Sequence, residues 1–235
     1  ADTESSLKTL FDGSSAAVTV YYMGKTDSVS QAVRDKVEAA ISGVQTVVGS
    51  VTSKDVAGDD RYATSVEAAK AVDVNKIASY NLGDGNLRTA FLASGQVNAD
   101  ALASGAVSAA ANIPVLLTTD GDALPKSVSD GISSLHIEQV IILGSTDRVS
   151  QKVEDALKAA GVNVIRKAGS DRYATATALA QLSIDTPTDG TGTTTSGTIY
   201  LANGNGGWAD ALTAGALVAQ THNSLVTVSD SGSLP

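Results

Sequence analysis

Ala57-Gly58-Asp59-Asp60-Arg61-Tyr62-Ala63-Thr64 returns 111 residues later as Ala168-Gly169-Ser170-Asp171-Arg172-Tyr173-Ala174-Thr175. The shared Asp-Arg-Tyr-Ala-Thr is too long for chance and marks an internal repeat. The match spreads outward in collinear order. Residues 24–31 align with 144–151, Leu92-Ala93-Ser94-Gly95 with Leu201-Ala202-Asn203-Gly204, Asp100-Ala101-Leu102 with Asp210-Ala211-Leu212, and Leu124-Pro125 with Leu234-Pro235. The chain therefore carries about two copies of a unit of roughly 110–120 residues, the size of a domain rather than of a short solenoid repeat.

Around these anchors the pattern alternates between strand and helix. Residues 17–22 are β-rich and end at Gly24; 29–41 place Val29, Val33, Val37 and Ile41 on one helical face, with Ser28 as the expected cap. A short strand is expected over 44–48, and a helix from Asp60 with Tyr62, Val66 and Ala69 on one face. Strand 90–93 leads to a helix of small residues from Asp100 to Ala111, and strand 114–118 to a helix opened by Pro125. Strand 140–143, helix 149–159, strand 162–165 and a second small-residue helix over 211–219 follow. Short apolar strands alternating with helices indicate an α/β fold of parallel sheets covered on both faces. Residues 187–197 hold no apolar side chain and read as an exposed loop inserted in the second copy.

Composition narrows the function. The 235 residues are 43% hydrophobic and 17% charged, enough for packed cores. No apolar run is long enough to span a membrane as a helix. Without cysteine there is no disulfide, thiolate metal site or thiol nucleophile. His136 and His222 lack partners at metal-ligand spacing, so neither a metal nor another cofactor is expected. The net charge of −9 argues against nucleic acid. The opening Ala1-Asp2-Thr3 fits a mature secreted protein, or simply a trimmed chain.

The repeated elements resemble the cell wall binding repeat 2 family of Gram-positive surface proteins. That pattern runs Ala-Gly-x-Asp-Arg-Tyr-x-Thr, a strand ending Leu-Ala-x-Gly, Asp-Ala-Leu on a small-residue helix, a Pro-led apolar strand and Leu-Pro. A strand ending in Gly before a Val-Ser helix completes it. The resemblance covers nearly all of residues 17–235. It implies tandem Rossmann-like (flavodoxin-like) parallel-sheet repeats with pseudo-symmetry. It also implies noncovalent anchoring of a secreted protein to an anionic wall polymer at the cell surface. Two copies stand here where the family usually carries three. The aromatic before Asp-Ala-Leu is present only as Trp208, and Ser224 replaces the strand-leading Pro114.

Asp60 and Asp171 read as helix N-caps or first-turn acids. Arg61 and Arg172 offer planar charged forks suited to phosphate or carboxylate, or alternatively to an internal pair with Asp100 or Asp210. Tyr62 and Tyr173 read as rings packed inward with the hydroxyl at the rim. Asp100 and Asp210 follow strand-to-helix loops at the carboxyl end of the sheet, where ligands bind and helix N-termini favour anions. Since each Asp opposes an anion, capping is its expected part. Asn203 lies on the equivalent strand end. Trp208, in a Gly-rich loop, either stacks on a sugar or plugs a core. Together these eight residues form the candidate polymer-binding set.

No nucleophile elbow, phosphate loop or properly spaced dinucleotide fingerprint occurs, so no catalytic residue is assigned. The expected function is a noncatalytic wall-binding module. A self-assembling S-layer-type domain is the competing class, and a glycan-acting α/β enzyme a third. Repeat phase also bears on domains. The favoured division is a central repeat over 55–165 and a second built from 1–54 plus 166–235; the alternative is two sequential units, 1–122 and 123–235.

Overall fold

In the computed structural model the described residues are 3–13, 16–44, 51–71, 74–82, 84–185, 199–204, 208–221 and 224–229. The chain divides into two compact units, Ala1–Ala71 and Val72–Pro235.

The first unit runs α1 (Thr3–Phe11), β1 (Val18–Met23), α2 (Gln31–Ser42), β2 (Val51–Val56) and α3 (Arg61–Ala71). β1 and β2 pair in parallel from Val18↔Val51 to Met23↔Val56. Tyr22, Ala40, Ile41, Val56, Val66 and Ala69 are its buried apolar residues. The strand before the first Asp-Arg-Tyr is thus 51–56. Of the strand expected over 44–48, Val44 lies in a turn and 45–48 fall outside the described residues. The helix after β1 begins at Gln31 with Ser30, not Ser28, at its cap position.

The second unit contains β3 (Ser79–Asn81), β4 (Asn86–Ser94), α4 (Asn98–Ala111), β5 (Val115–Thr118), α5 (Lys126–Ser134), β6 (Gln139–Leu143) and α6 (Gln151–Ala159). β7 (Asn163–Lys167), α7 (Arg172–Asp185), β8 (Ile199–Asn203), α8 (Trp208–Thr221) and β9 (Ser224–Val228) follow. β4 pairs in parallel with β5 and β6, and β6 with β7. β8 and β9 form a separate parallel pair. The sheets are not wholly parallel: β3 joins β4 antiparallel through Ser79↔Arg88 and Asn81↔Asn86. Mixed α/β describes the architecture.

Every residue of β6 is buried, as expected of a central parallel strand covered on both faces. Phe91, Ala93, Ile141 and Leu143 cluster with Ala103, Val107, Ala176 and Leu179 from α4 and α7. The small residues of α4 and α8 let those helices pack together. A smaller cluster joins Ala202, Ala211, Val218 and Leu225.

Both octapeptides sit between a strand and a helix and close in the same way. The Gly58 amide donates to Thr64 Oγ1 and the Gly169 amide to Thr175 Oγ1, each at 3.0 Å. Asp60 Oδ1 accepts from the Ala63 amide at 2.7 Å; Asp171 Oδ1 accepts from Tyr173 and Ala174 amides at 2.9 Å. These are N-cap bonds, which satisfy first-turn donors. A Cβ on Gly58 would lie 2.3 Å from Ala63 Cβ, and one on Gly169 2.2 Å from Ala174 Cβ. Only Gly allows that approach. Gly169→Ala is expected to cost about 1–3 kcal/mol, the usual penalty of forced overpacking. Gly105→Ala, in α4 with open space around it, should gain up to about 1 kcal/mol from helix propensity. Chemical denaturation of the two variants checks the opposite signs.

Candidate functional site

Where β4, β6 and β7 end, three loops meet around a cleft of about 290 Å³. Val97, Ala99 and Asp100 line it from the start of α4, Gly144, Ser145, Asp147 and Arg148 from the β6–α6 loop, and Gly169 to Arg172 from the octapeptide. This is the carboxyl end of the parallel strands, where α/β sheets bind ligands.

Each loop is fixed by its own chemistry. Ser94 Oγ accepts from the Gln96 and Val97 amides at 3.0 and 3.3 Å, which turns the chain into α4. Ser150 Oγ accepts from the Val153 amide and caps α6, and the buried Val149 anchors the loop before it. Gly144 has φ +90°, and a Cβ there would stand 2.5 Å from Asp100 Oδ2. Glycine is thus required both by its backbone angle and by the carboxylate against it.

Asp100 is the unusual group. It is 7% exposed, three residues inside α4, whose cap position belongs to Val97. It therefore does not cap the helix, contrary to expectation. Burial pushes its carboxyl above the ordinary range, while Arg148 and Arg172 pull it back. A buried acid facing two guanidinium groups is costly to keep for stability alone and is a common mark of a functional cleft.

Arg172 is exposed at the first position of α7, and its Nη1 donates to the Gly204 carbonyl at 2.8 Å. Tyr173 is half-buried, and a Cβ on Gly204 would lie 2.9 Å from its ring. So the expected Arg-to-Asp100 pairing is electrostatic, while the direct bond goes to the Leu-Ala-x-Gly strand end beside Asn203. Asp210 is exposed in the first turn of α8. Trp208 is the first residue of that helix, and its side chain lies outside the described residues, as does His222. Arg61 and Tyr62 occupy the equivalent start of α3 in the first unit. There Lys25 Nζ meets Asp59 at 2.8 Å, where the second unit has Ser145 and Ser170 lining open space.

Sequence reasoning missed Arg148. Its counterpart in the alignment of 24–31 with 144–151 is Ser28, so the comparison that exposed the repeat also discounted it. No group of three or more metal-ligating side chains occurs among the described residues. A larger cleft of about 810 Å³ lies at the opposite strand ends. Its Arg88 is already engaged with the Leu135 carbonyl, and Glu138 with the Arg88 amide.

The chain belongs to the cell wall binding domain 2 (CWB2) family, which matches residues 56–154 and 166–235. It is 30% identical over 138 residues to the N-acetylmuramoyl-L-alanine amidase LytC of Bacillus subtilis (strain 168), covering 59% of this chain and 25% of that protein. Among solved structures it is similar to Cwp6 from Clostridium difficile, with TM-score 0.64, 27% identity and coverage of 77% of this chain and 26% of that one. Cwp8 from the same organism has TM-score 0.67 over 90% of this chain and 31% of its own, a likeness of fold at 24% identity. The chain is a cell-wall binding module that associates with the wall or cell surface, and it spans about a quarter of the amidase. No described helix is long and apolar enough to cross a membrane.

The raised Asp100 pKa has a definite sign. The contribution of this group to stability is full below the ordinary carboxylate value and is lost as pH rises through the raised one. Arg148, Arg172, Asp147 and Asp171 are the charged groups sharing its cleft. Asp100→Asn should therefore be more stable than wild type at pH 7 and level with it at about pH 4, as read by thermal melting across pH.

Proposed function

We propose that the module is noncatalytic and holds a secreted protein to the wall by binding an anionic wall polymer in the cleft around Asp100. The observation that carries this is the pair of exposed arginines, Arg148 and Arg172, flanking one cleft. The starts of α4, α6 and α7 lie on the same three loops, so helix dipoles add positive potential to the two forks. Asp171 spends its carboxylate on the cap of α7. A chain of net charge −9 meets an anion only through such a local patch. Tyr173, Asn203, Asp210 and Trp208, with Arg61 and Tyr62 in the other copy, complete the proposed binding set.

Binding to purified Gram-positive walls, before and after chemical removal of their secondary polymers, tests the reading. Arg148→Ala with Arg172→Ala should lower affinity at least about tenfold. Because both changes strip the buried Asp100 of its counter-charges, binding is compared at a temperature where each protein is folded, and added salt should weaken the wild type more than the variant. Equal binding by the folded variant, or undiminished binding to stripped walls, overturns it.

The same reading takes the chain as tandem Rossmann-like repeats, with residues 1–54 and 166–235 completing one repeat beside the central 55–165. Support comes from aligned strands. Ala90 and Leu92 of β4 and Ile141 and Leu143 of β6 are fully buried, whereas their counterparts Ile199, Leu201, Tyr21 and Met23 are exposed, Ile199 at 64% and Leu201 at 62%. Transferring the Phe91↔Ile141 register pairs Tyr200 with Tyr21. Exposed apolar strand edges call for such a partner. The chain is free of cysteine, so Tyr21→Cys with Tyr200→Cys is a clean probe. A disulfide within one chain is expected. One between chains favours the self-assembling S-layer-type reading instead, and none removes the composite repeat.

A further inference from the structure

The loop that carries Arg148 hangs on Gly144, and the way Gly144 is held recurs in the other copy with every charge reversed. Gly144 receives its amide bond from strand β7, donating to the Lys167 carbonyl at 2.9 Å, as Gly24 donates to the Val56 carbonyl of β2 at 3.0 Å. Its own carbonyl accepts from Arg166 Nη1 at 2.9 Å. Arg166 Nε and Nη2 lie 2.9 and 2.8 Å from Glu154 Oε2, and Glu154 Oε1 accepts from Lys158 Nζ at 2.6 Å. Around Gly24 the guanidinium comes instead from the helix. Arg34 Nη2 donates to the Gly24 carbonyl at 3.1 Å and Nη1 pairs with Asp55 on β2. By the repeat offsets, Arg34 corresponds to Glu154, Glu38 to Lys158 and Asp55 to Arg166.

Glu38 accepts from the Tyr22 hydroxyl at 3.1 Å, but the other two exchanges, Arg34 for Glu154 and Asp55 for Arg166, point to one requirement. The glycine carbonyl at the strand end needs a guanidinium, and the guanidinium, being little exposed, needs a carboxylate. Helix and strand are interchangeable as the source of each. Glu154 is held below the usual carboxylate range, first by Lys158 and then by Arg166 against an opposing effect of burial.

We infer that Glu154 and Arg166 are positioning residues of the cleft: they fix the Gly144 carbonyl and so the 144–150 loop that presents Ser145, Asp147 and Arg148 beside Asp100. Arg34 and Asp55 do the same for the 24–30 loop with the charges exchanged. This rests on the cleft being the polymer site. A pair that merely stabilised α6 against β7 has no reason to keep its bond to one carbonyl when both charges trade places.

The test compares Glu154→Arg, Arg166→Asp, the two together, and the two with Lys158→Glu, which writes the first copy's charge pattern into the second. Two readouts are taken at a temperature where each protein is folded: amide hydrogen exchange at Gly144 and Val149, and binding to purified Gram-positive walls. Each single change should speed exchange at both amides and weaken wall binding about tenfold, the coupling expected of contacting charged groups. The double and triple variants should recover protection and most of the binding. Glu154→Gln serves if a like-charge single variant fails to fold, and should show the partial loss. Double and triple variants no better than the poorer single, or folded single variants with wild-type exchange, overturn the inference. Should wild type itself fail to bind walls, the polymer reading falls, while exchange at Gly144 and Val149 still decides whether the pair positions the loop.

Discussion

The molecule depends on one close approach, of the octapeptide glycine to its own helix. With no Cβ at Gly58 or Gly169, the strand end comes down onto the alanine five residues on. There the Gly amide reaches the Thr hydroxyl and the Asp carboxylate caps the helix. The turn leaves Arg at the first helical position, where its side chain projects at the carboxyl end of the strands. All residues of the pentapeptide thus have work in one short junction: cap, fork, half-buried ring, packed methyl and hydroxyl acceptor. Two copies separated by a hundred residues have kept the same bonds to within a few tenths of an ångström. The cleft follows from where this junction must sit.

The cleft sets a buried charge against local structure. Asp100 would be less costly in water, and Asn would serve the helix as well. What retains it is its surroundings, with Arg148 and Arg172 on two different loops sharing one carboxylate. The acid offsets the mutual repulsion of two guanidinium groups gathered at one cleft. On the proposed reading, an occupant with a phosphate or carboxylate would compete with Asp100 for the same forks.

Much of this was legible in the residues. The strands ending at Gly24 and Gly144, the helices after both pentapeptides and the buried β4 and β6 follow from apolar runs and turn signals. What escaped had weak local signals. β2 is Val-Thr-Ser-Lys-Asp-Val with four exposed positions in its middle, so hydrophobicity drew the expected strand to Val44–Val48 instead. β3 is three residues long and joins the sheet through an antiparallel neighbour, too short to show a period in the sequence. α1 falls on α5 at the 120-residue offset, but residues 5–11 share no identity with 125–131, so the repeat did not flag it. Asp100 looked like a cap because it opens a recognisable motif; Ser94, a residue of the preceding strand, turns the chain in its place.

Arg148, Glu154 and Arg166 escaped for a different reason. Repeat comparison rewards identity, and at these positions the two copies differ, twice by reversal of charge. Yet the bond that Glu154 and Arg166 serve is the same in both. Physics constrains the acceptor, a strand-end carbonyl in a left-handed glycine turn, more tightly than it constrains which element supplies the donor. Exchange of donor and counter-ion across the α2–β2 or α6–β7 contact leaves the local charge balanced, so each copy tolerates its own polarity. Side chains that differ between copies can therefore mark a shared constraint, when the atoms they reach are the ones that have not changed.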